Sequence, residues 1–364
     1  MRVAASYRVA IVGCGRMAGT IDDEMPIDWP FKPYTHAGAY LAVEATTVVA
    51  AANRGREALD GFCRRWGVSS SYTDYREMIV TEKPDIVSVC TPQESHSEVS
   101  IFAAEHGVRA ILCEKPMAPS MAEADRIVAA VRRNRVCFNL GVNRRFRLDC
   151  GIARDFIDSG ELGEVRSFTL SAGGTLKNSH SHYVDLMSFL LQDASPMSIS
   201  ARLRDDRGKE VAFNETANLW TGDPTLHWLA VEFDGGKTGY IQDPGGVVPR
   251  EWRVVGTKGC LLFHEDGSPP NWYTSDGERE FPHYPRQHSP TIRMVEDLIR
   301  CLESGGTCLA NEEVSSRVNE LCNAAAESHL RGAARVSLPL ADRNTYISAQ
   351  SHSRTTPRAS SGRS

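Results

Sequence analysis

The chain has 364 residues, 41% hydrophobic and 24% charged, which at roughly 150 residues per domain is enough for two cores and excludes disorder throughout. Its 41 Lys and Arg stand against 46 Asp and Glu, a net charge of −5 with the signs intermixed, which argues against nucleic acid or an anionic membrane as the main partner. No apolar run approaches the roughly 18–20 residues that cross a bilayer, and Val9–Val12 runs into a glycine turn, not a cleavage site, so the expected compartment is the cytoplasm.

From Tyr7 to Leu140, short apolar strands at Val9–Val12, Thr47–Ala52, Ile86–Cys90, Ala110–Cys113 and Val136–Leu140 alternate with helical patterns. That alternation predicts an α/β domain, a doubly wound parallel sheet over residues 1–141. Strands are then expected at Glu164–Ser171, Met197–Leu203, Leu226–Phe233, Thr238–Gln242, Trp252–Val255 and Cys260–Phe263, giving an α+β domain over 142–345 with a large, mostly antiparallel sheet. Two late helices are marked by periodicity. Thr291–Ser304 places Met294, Val295, Leu298, Ile299 and Leu302 on one face, and Asn311 can cap the next, with Val314, Val318, Leu321, Cys322 and Ala325 at helical spacing. The Ser-, Thr- and Arg-rich stretch 350–364 has no apolar face and is expected to be disordered. Ten cysteines are scattered without a Cys-x-x-Cys pair, so reduced thiols are expected and no metal.

The strand Val9–Val12 is followed by Gly13-Cys14-Gly15-Arg16-Met17-Ala18, a G-x-G-x-x-A dinucleotide fingerprint. The first glycine permits the tight turn, the second lets a pyrophosphate approach the backbone, and the small third residue lets helix and strand pack. An acidic residue normally follows about 20 residues on and binds the ribose hydroxyls. Here the second strand ends at Asn53, and the excess length matches an insertion over 20–34 that holds Pro26, Pro30 and Pro33. These prolines break the first helix into a short turn and a restart near His36. The insertion lies at the ligand edge of the sheet, as a lid or as a loop packed on the neighbouring domain or subunit. Asn53-Arg54 in place of the carboxylate removes a charge that repels a 2′-phosphate and offers a guanidinium to bind one, which favours NADP over NAD.

Three further segments complete an ordered set: Thr91-Pro92 with His96, Cys113-Glu114-Lys115-Pro116, and Gly173-Gly174 leading to Asn178-Ser179-His180-Ser181-His182-Tyr183-Val184-Asp185. Together they resemble the Gfo/Idh/MocA family of sugar and cyclitol dehydrogenases. The resemblance implies an N-terminal Rossmann domain binding NAD or NADP and a C-terminal domain that forms homodimers or homotetramers. It also implies hydride exchange with a secondary carbinol or ketone of a sugar, glycoside or cyclitol. Cofactor contacts are expected from Gly13, Cys14, Gly15, Arg16, Met17, Asn53, Arg54, Thr91, Pro92, His96, Glu114 and Lys115.

In such a family Lys115 would lie beside the nicotinamide and the substrate hydroxyl, with its bond to Pro116 often cis, and His182 would exchange the proton. The chemistry agrees, because oxidising an alcohol removes a hydroxyl proton as negative charge builds on oxygen. Asn178 stands where many members carry an aspartate, and it cannot take a proton. Asp185 either orients the imidazole, binds a hydroxyl, or is an ordinary helix-start carboxylate. Arg145 or Asn143 reaches cofactor or substrate, or makes an interdomain salt bridge. Two other readings are an NAD-dependent glycosidase with transient oxidation and a catalytically silent ligand-binding regulator.

Overall fold

The computed structural model describes residues 6–204, 211–245, 250–285 and 288–349, and the expected disorder of 350–364 lies outside them. The first half alternates β1 (Tyr7–Val12), α1 (Arg16–Gly19), α2 (His36–Ala42), β2 (Thr46–Ala52), α3 (Arg56–Trp66), β3 (Ser70–Tyr72) and α4 (Tyr75–Glu82). It continues with β4 (Ile86–Val89), α5 (His96–Glu105), β5 (Ala110–Cys113), α6 (Met121–Asn134) and β6 (Cys137–Leu140). Among the described residues these strands form one parallel sheet in the order β3-β2-β1-β4-β5-β6. Val9, Ala10, Ile11, Val87 and Ile111 have no exposure, as continuous apolar strands covered on both faces require. The order reverses between β1 and β4, so the crevice for a ligand opens where Val12, Val89 and Cys113 end their strands.

The second half runs α7 (Leu148–Asp158), β7 (Val165–Ser171), α8 (Ser181–Leu190), β8 (Pro196–Arg204), β9 (Phe213–Asn214), β10 (Leu219–Trp220), β11 (Thr225–Phe233) and β12 (Thr238–Gln242). Then come β13 (Glu251–Gly256), β14 (Cys260–His264), β15 (Asn271–Thr274), β16 (Gly277–Arg279), α9 (Pro290–Ser304), α10 (Glu312–Leu330), β17 (Val336–Ser337) and β18 (Tyr346–Ile347). Among the described residues the main sheet orders as β16-β15-β14-β13-β7-β12-β11-β8-β17, with β7 and β12 paired in parallel. Asn311 Oδ1 accepts from the amides of Glu313 and Val314 and so caps α10. No helix among the described residues is long and apolar enough to cross a membrane.

The first crossover is in two pieces, with the 20–34 segment between them. Asp22 ties its ends, accepting from the amides of Tyr34 and Thr35 and from Thr35 Oγ1. Phe31, 1% exposed, meets the His288 ring at 5.1 Å and the Arg147 guanidinium at 4.6 Å. The amide of His288 donates to Pro30 O, and Ser289 and Thr291 hydroxyls donate to Pro33 O and Tyr34 O. Of the two readings of the insertion, these contacts favour a loop packed on the second half over a lid. At the other end of the chain, the β18 segment returns to the first half, where Ile347 N donates to Pro119 O and Gln93 Nε2 to Ile347 O.

Candidate active site

The loop after β1 is shaped around its glycines. Gly13 has φ +92, and a Cβ there would lie 2.7 Å from Cys90 O, so only glycine fits. A Cβ on Gly15 would meet nothing within 4 Å, so the backbone faces open space from which a pyrophosphate could approach. The Asn53 carboxamide stitches this loop to the end of β2, its Oδ1 accepting from Cys14 N at 3.2 Å and its Nδ2 donating to Gly55 O. Arg16 is exposed and paired with Glu24, Met17 is half-buried, and Arg54 is exposed with no ion pair among the described residues. After β4, Thr91 Oγ1 is buried without a partner, an orphaned hydroxyl at the crevice. Pro92 beside it is exposed. An open glycine backbone, a free cation at the end of β2 and an unpartnered hydroxyl at the end of β4 fit a nicotinamide dinucleotide.

Beyond β5, the Lys115–Pro116 peptide is cis and the half-buried Lys115 donates from Nζ to Asn178 O at 3.1 Å. That carbonyl belongs to a π-helical turn, Leu176–His180, which leads directly into α8. Such turns recur at functional sites because they redirect a side chain out of the regular helical row. Asp223 holds the turn by accepting from the amides of Lys177 and Asn178. The buried Lys177 clamps it from behind, donating to Ala118 O and Asn319 Oδ1. His182 follows in the first turn of α8, half-buried, with Nδ1 unpartnered.

Burial pushes the His182 imidazole well below its ordinary range, and the Arg144 and Lys115 charges add to this, so the ring is neutral and able to accept a proton. Burial also lowers the Lys115 ammonium, against the opposing pull of Glu114 and Asp223. Lys115, from the first half, thus bonds the carbonyl of Asn178, four residues before His182 in the second, and its charge acts on that imidazole.

Several expected site residues have other work. Arg145, 1% exposed, donates from Nε to Asp185 Oδ1 at 2.8 Å, from Nη1 to Leu309 O and from Nη2 to Asp193. This corrects both substrate contact by Arg145 and a role for Asp185 in orienting His182 or holding a hydroxyl. The two charges neutralise each other inside the protein, and burial raises the Asp185 carboxyl to about 6 even against Arg145. The fully buried His96 bridges Pro116 O and Thr91 O, bracing the two strand-end loops rather than facing the crevice. Glu114 is turned inward to His36, 2.9 Å from Nε2, which corrects its place among the cofactor contacts. Asn178 meets Lys115 through its backbone, while its side chain donates to Ala349 O.

Arg144 carries no signal in the sequence that sets it apart from Asn143 and Arg145. In the short 3-10 turn Asn143–Phe146, successive side chains diverge by about 120°, so Arg145 enters the core and Arg144 takes another direction. Arg144 donates to Tyr183 Oη and Glu265 Oε1, each at 3.0 Å, and keeps a buried, unpartnered Nε. His36, Asp223 and Glu265 carried no local motif. Their partners lie far off in sequence, so only the fold brings them to the site.

Residues 7–142 match the family model described as an oxidoreductase family with an NAD-binding Rossmann fold, GFO_IDH_MocA. Over these residues the chain is similar to the Gfo/Idh/MocA oxidoreductases. Among curated relatives of this family, D-glucoside 3-dehydrogenase of Escherichia coli is 23% identical over 71% of this chain and 75% of its own length. Levoglucosan dehydrogenase of Pseudarthrobacter phenanthrenivorans is 26% identical over 43% of this chain. Myo-inositol 2-dehydrogenase of Thermotoga maritima is likewise 26% identical over 43% of this chain. The alignments span 45% and 42% of these last two relatives. A solved levoglucosan dehydrogenase, in complex with NADH and levoglucosan, superposes with a TM-score of 0.74 at 19% identity, covering 92% of this chain and 100% of that one. An oxidoreductase from Agrobacterium radiobacter, in complex with NAD+, L-tartaric acid and magnesium, gives 0.75 at 18% identity over 92% and 98%. The fold of these solved structures, a Rossmann sheet followed by a broad mixed sheet, thus extends over both halves of the chain.

Proposed function

We propose that this protein exchanges hydride between NAD(P) and one secondary carbinol or ketone of a sugar, glycoside or cyclitol. The observation that carries the reading is the bond from Lys115 Nζ to Asn178 O, four residues before the neutral His182, at the ligand edge of the parallel sheet. The curated relatives named above act, by their names, on glucosides, levoglucosan and inositol, which supports the substrate class.

A bound nicotinamide would supply the hydride acceptor or donor. Gly13, Gly15 and Thr91 would hold it, and Lys115 would fix the reacting oxygen by donating from Nζ. In the oxidising direction His182 takes the hydroxyl proton, and the Lys115 charge stabilises the negative charge that builds on oxygen. In the reducing direction the protonated imidazole returns that proton. Burial, with the Arg144 guanidinium adding to it, keeps His182 neutral between turnovers.

NADP is the proposed preference, supported by the uncharged Asn53 and by the exposed Arg54. The proposed division is a nucleotide domain over 1–141 and a substrate domain over 142–345. A homodimer or homotetramer is proposed through the open face of the β7–β16 sheet, where Tyr240 is 47% exposed beside Trp228 and Arg253. The proposed compartment is the cytoplasm, in keeping with ten free thiols.

The test is a panel of sugars, glycosides and inositols followed by nicotinamide absorbance with each cofactor, alongside assay of aglycone release. Stoichiometric change in nicotinamide on a polyol supports the reading. Aglycone release with no net redox change, or silence across the panel with tight dinucleotide binding, would replace it with the glycosidase or regulator reading.

A further inference from the structure

Far from the active site, three cysteines from separate elements line one cleft of about 770 Å³. Cys137 opens β6, Cys301 lies near the end of α9, and Cys308 is in the loop between α9 and α10. The cleft also takes in Arg109 and Val136, which precede β5 and β6, so it lies at the amino edge of the parallel sheet, opposite Lys115. No step proposed above uses it.

The three thiols are not equivalent. Cys137 is half-buried, while Cys301 and Cys308 are 3% and 4% exposed. The Cys301 thiol donates to Gly306 O at 2.6 Å, whereas Cys308 acts first on the Cys137 thiol, and Arg109 and Arg300, each paired with a carboxylate (Asp85 and Asp297), add a smaller positive field. These groups outweigh burial and bring the Cys137 thiol down to about 6, whereas burial and the neighbouring sulfur hold Cys301 up at about 12. Cys308 is raised by Cys137 first and by burial second, with Asp297 adding to it. At the mouth, Glu312 and Glu105 are paired with Arg132 and Arg133, so they do not oppose a negative sulfur. Reactive cysteines occupy such positions: partly open, flanked by cations, with a second thiol in reach.

We propose that Cys137 and Cys308 form a reactive thiol pair that an organic or hydrogen peroxide converts to a disulfide. The Cys137 sulfur attacks the peroxide, the O–O bond breaks, and the sulfur gains OH as a sulfenic acid while the peroxide leaves as an alcohol or water. Cys308 then attacks that sulfur, and its proton leaves with the hydroxide as water. Two thiols are oxidised by two electrons and one peroxide is reduced. The bond fastens the loop after α9 to the edge strand of the nucleotide-binding sheet.

The test is peptide mapping by mass spectrometry of the full chain after peroxide treatment, with Cys63 and Cys260, both half-buried, as internal controls. The expected product is one cross-linked peptide joining Cys137 to Cys308 with loss of two thiols per chain, and Cys308→Ser should stop at sulfenic or sulfinic acid on Cys137. Alkylation of untreated wild-type protein by iodoacetamide should reach half its maximal rate at Cys137 near pH 6, while Cys63 keeps gaining rate above pH 8. A Cys137 rate still climbing through pH 8, a link from Cys137 to Cys301, or oxidation no faster than at Cys63 and Cys260 would overturn the proposal. None of these readouts depends on the substrate.

Discussion

His36 and Glu114 form a buried ion pair next to Lys115: Nε2 lies 2.9 Å from Oε1, and Nδ1 lies 2.6 Å from Ser88 Oγ. The second carboxylate oxygen of Glu114 accepts from the Lys115 amide at 3.3 Å, so the pair is joined directly to the residue that meets His182's neighbour Asn178. Burial opposes charge on the imidazole, but Cys90 and Glu114 outweigh it and raise His36 to about 10. A raised histidine contributes stability in full below about 6.5, and that contribution is lost as pH climbs through the folded value. Glu114, lowered by His36 against its own burial, contributes above the ordinary carboxylate range and loses this only as pH falls through its depressed value. The melting temperature of wild type should therefore fall between about pH 7 and 10. His36→Gln should start about 3–5 kcal/mol lower and lack that slope. Thermal unfolding across pH checks it, and an equal slope in the variant would remove His36 as its source.

Lys115→Ala should cut turnover by orders of magnitude while dinucleotide affinity stays within a few-fold, because in the proposed mechanism the amine would hold the reacting oxygen, whereas the loop after β1 is untouched. Steady-state kinetics and fluorescence titration with the dinucleotide separate the two. Turnover within a few-fold of wild type would exclude Lys115 from the chemistry.

Arg144 lowers the His182 imidazole through space, after burial and ahead of Lys115. Arg144→Met therefore raises the His182 pKa, and the acid limb of kcat/KM for alcohol oxidation should move to higher pH. A limb that stays in place or moves down would show that another group carries the proton.

Asn53→Asp restores a carboxylate at the end of β2 and should shift the NADP/NAD preference toward NAD, as Arg54→Ala should by removing the guanidinium. Each kcat/KM ratio changes by about tenfold for every 1.4 kcal/mol of lost phosphate contact. An unchanged ratio in both variants would discredit this reading of Asn53-Arg54.

Phe31→Ala should destabilise the fold by about 3–5 kcal/mol, since the ring is fully enclosed by His288, Arg147 and the backbone at Gly267. Its melting temperature should drop with little change in KM. The opposite result, an altered KM with an unaltered melting temperature, would return the 20–34 segment to the lid reading.

The sequence revealed most where one signal was local. Alternating apolar strands showed the parallel sheet, Asn311 showed the start of α10, and Gly13-Cys14-Gly15 with Glu114-Lys115-Pro116 located two corners of the crevice. It was silent where a role depends on a distant partner. Nothing near Arg145 distinguishes it from Arg144, and the choice between core and crevice is made by Asp185 and Asp193, some 40 and 48 residues on. Asp185 sits at helical spacing from His182 and still faces inward, because its guanidinium partner comes from the 143–146 turn. The three-residue β3 and the β15–β16 hairpin escaped notice because such short strands carry too few alternations to register.

The last described residues work as a clasp. Ile347 O takes the amide of Gln93 at 2.6 Å from one half, and Ala349 O takes that of Asn178 from the other, beside the carbonyl that holds Lys115. Anyone trimming this polypeptide for crystallography or fusing a reporter to it should therefore cut or join beyond position 349. A shorter version would free two side-chain amides at once and slacken the floor on which the lysine rests.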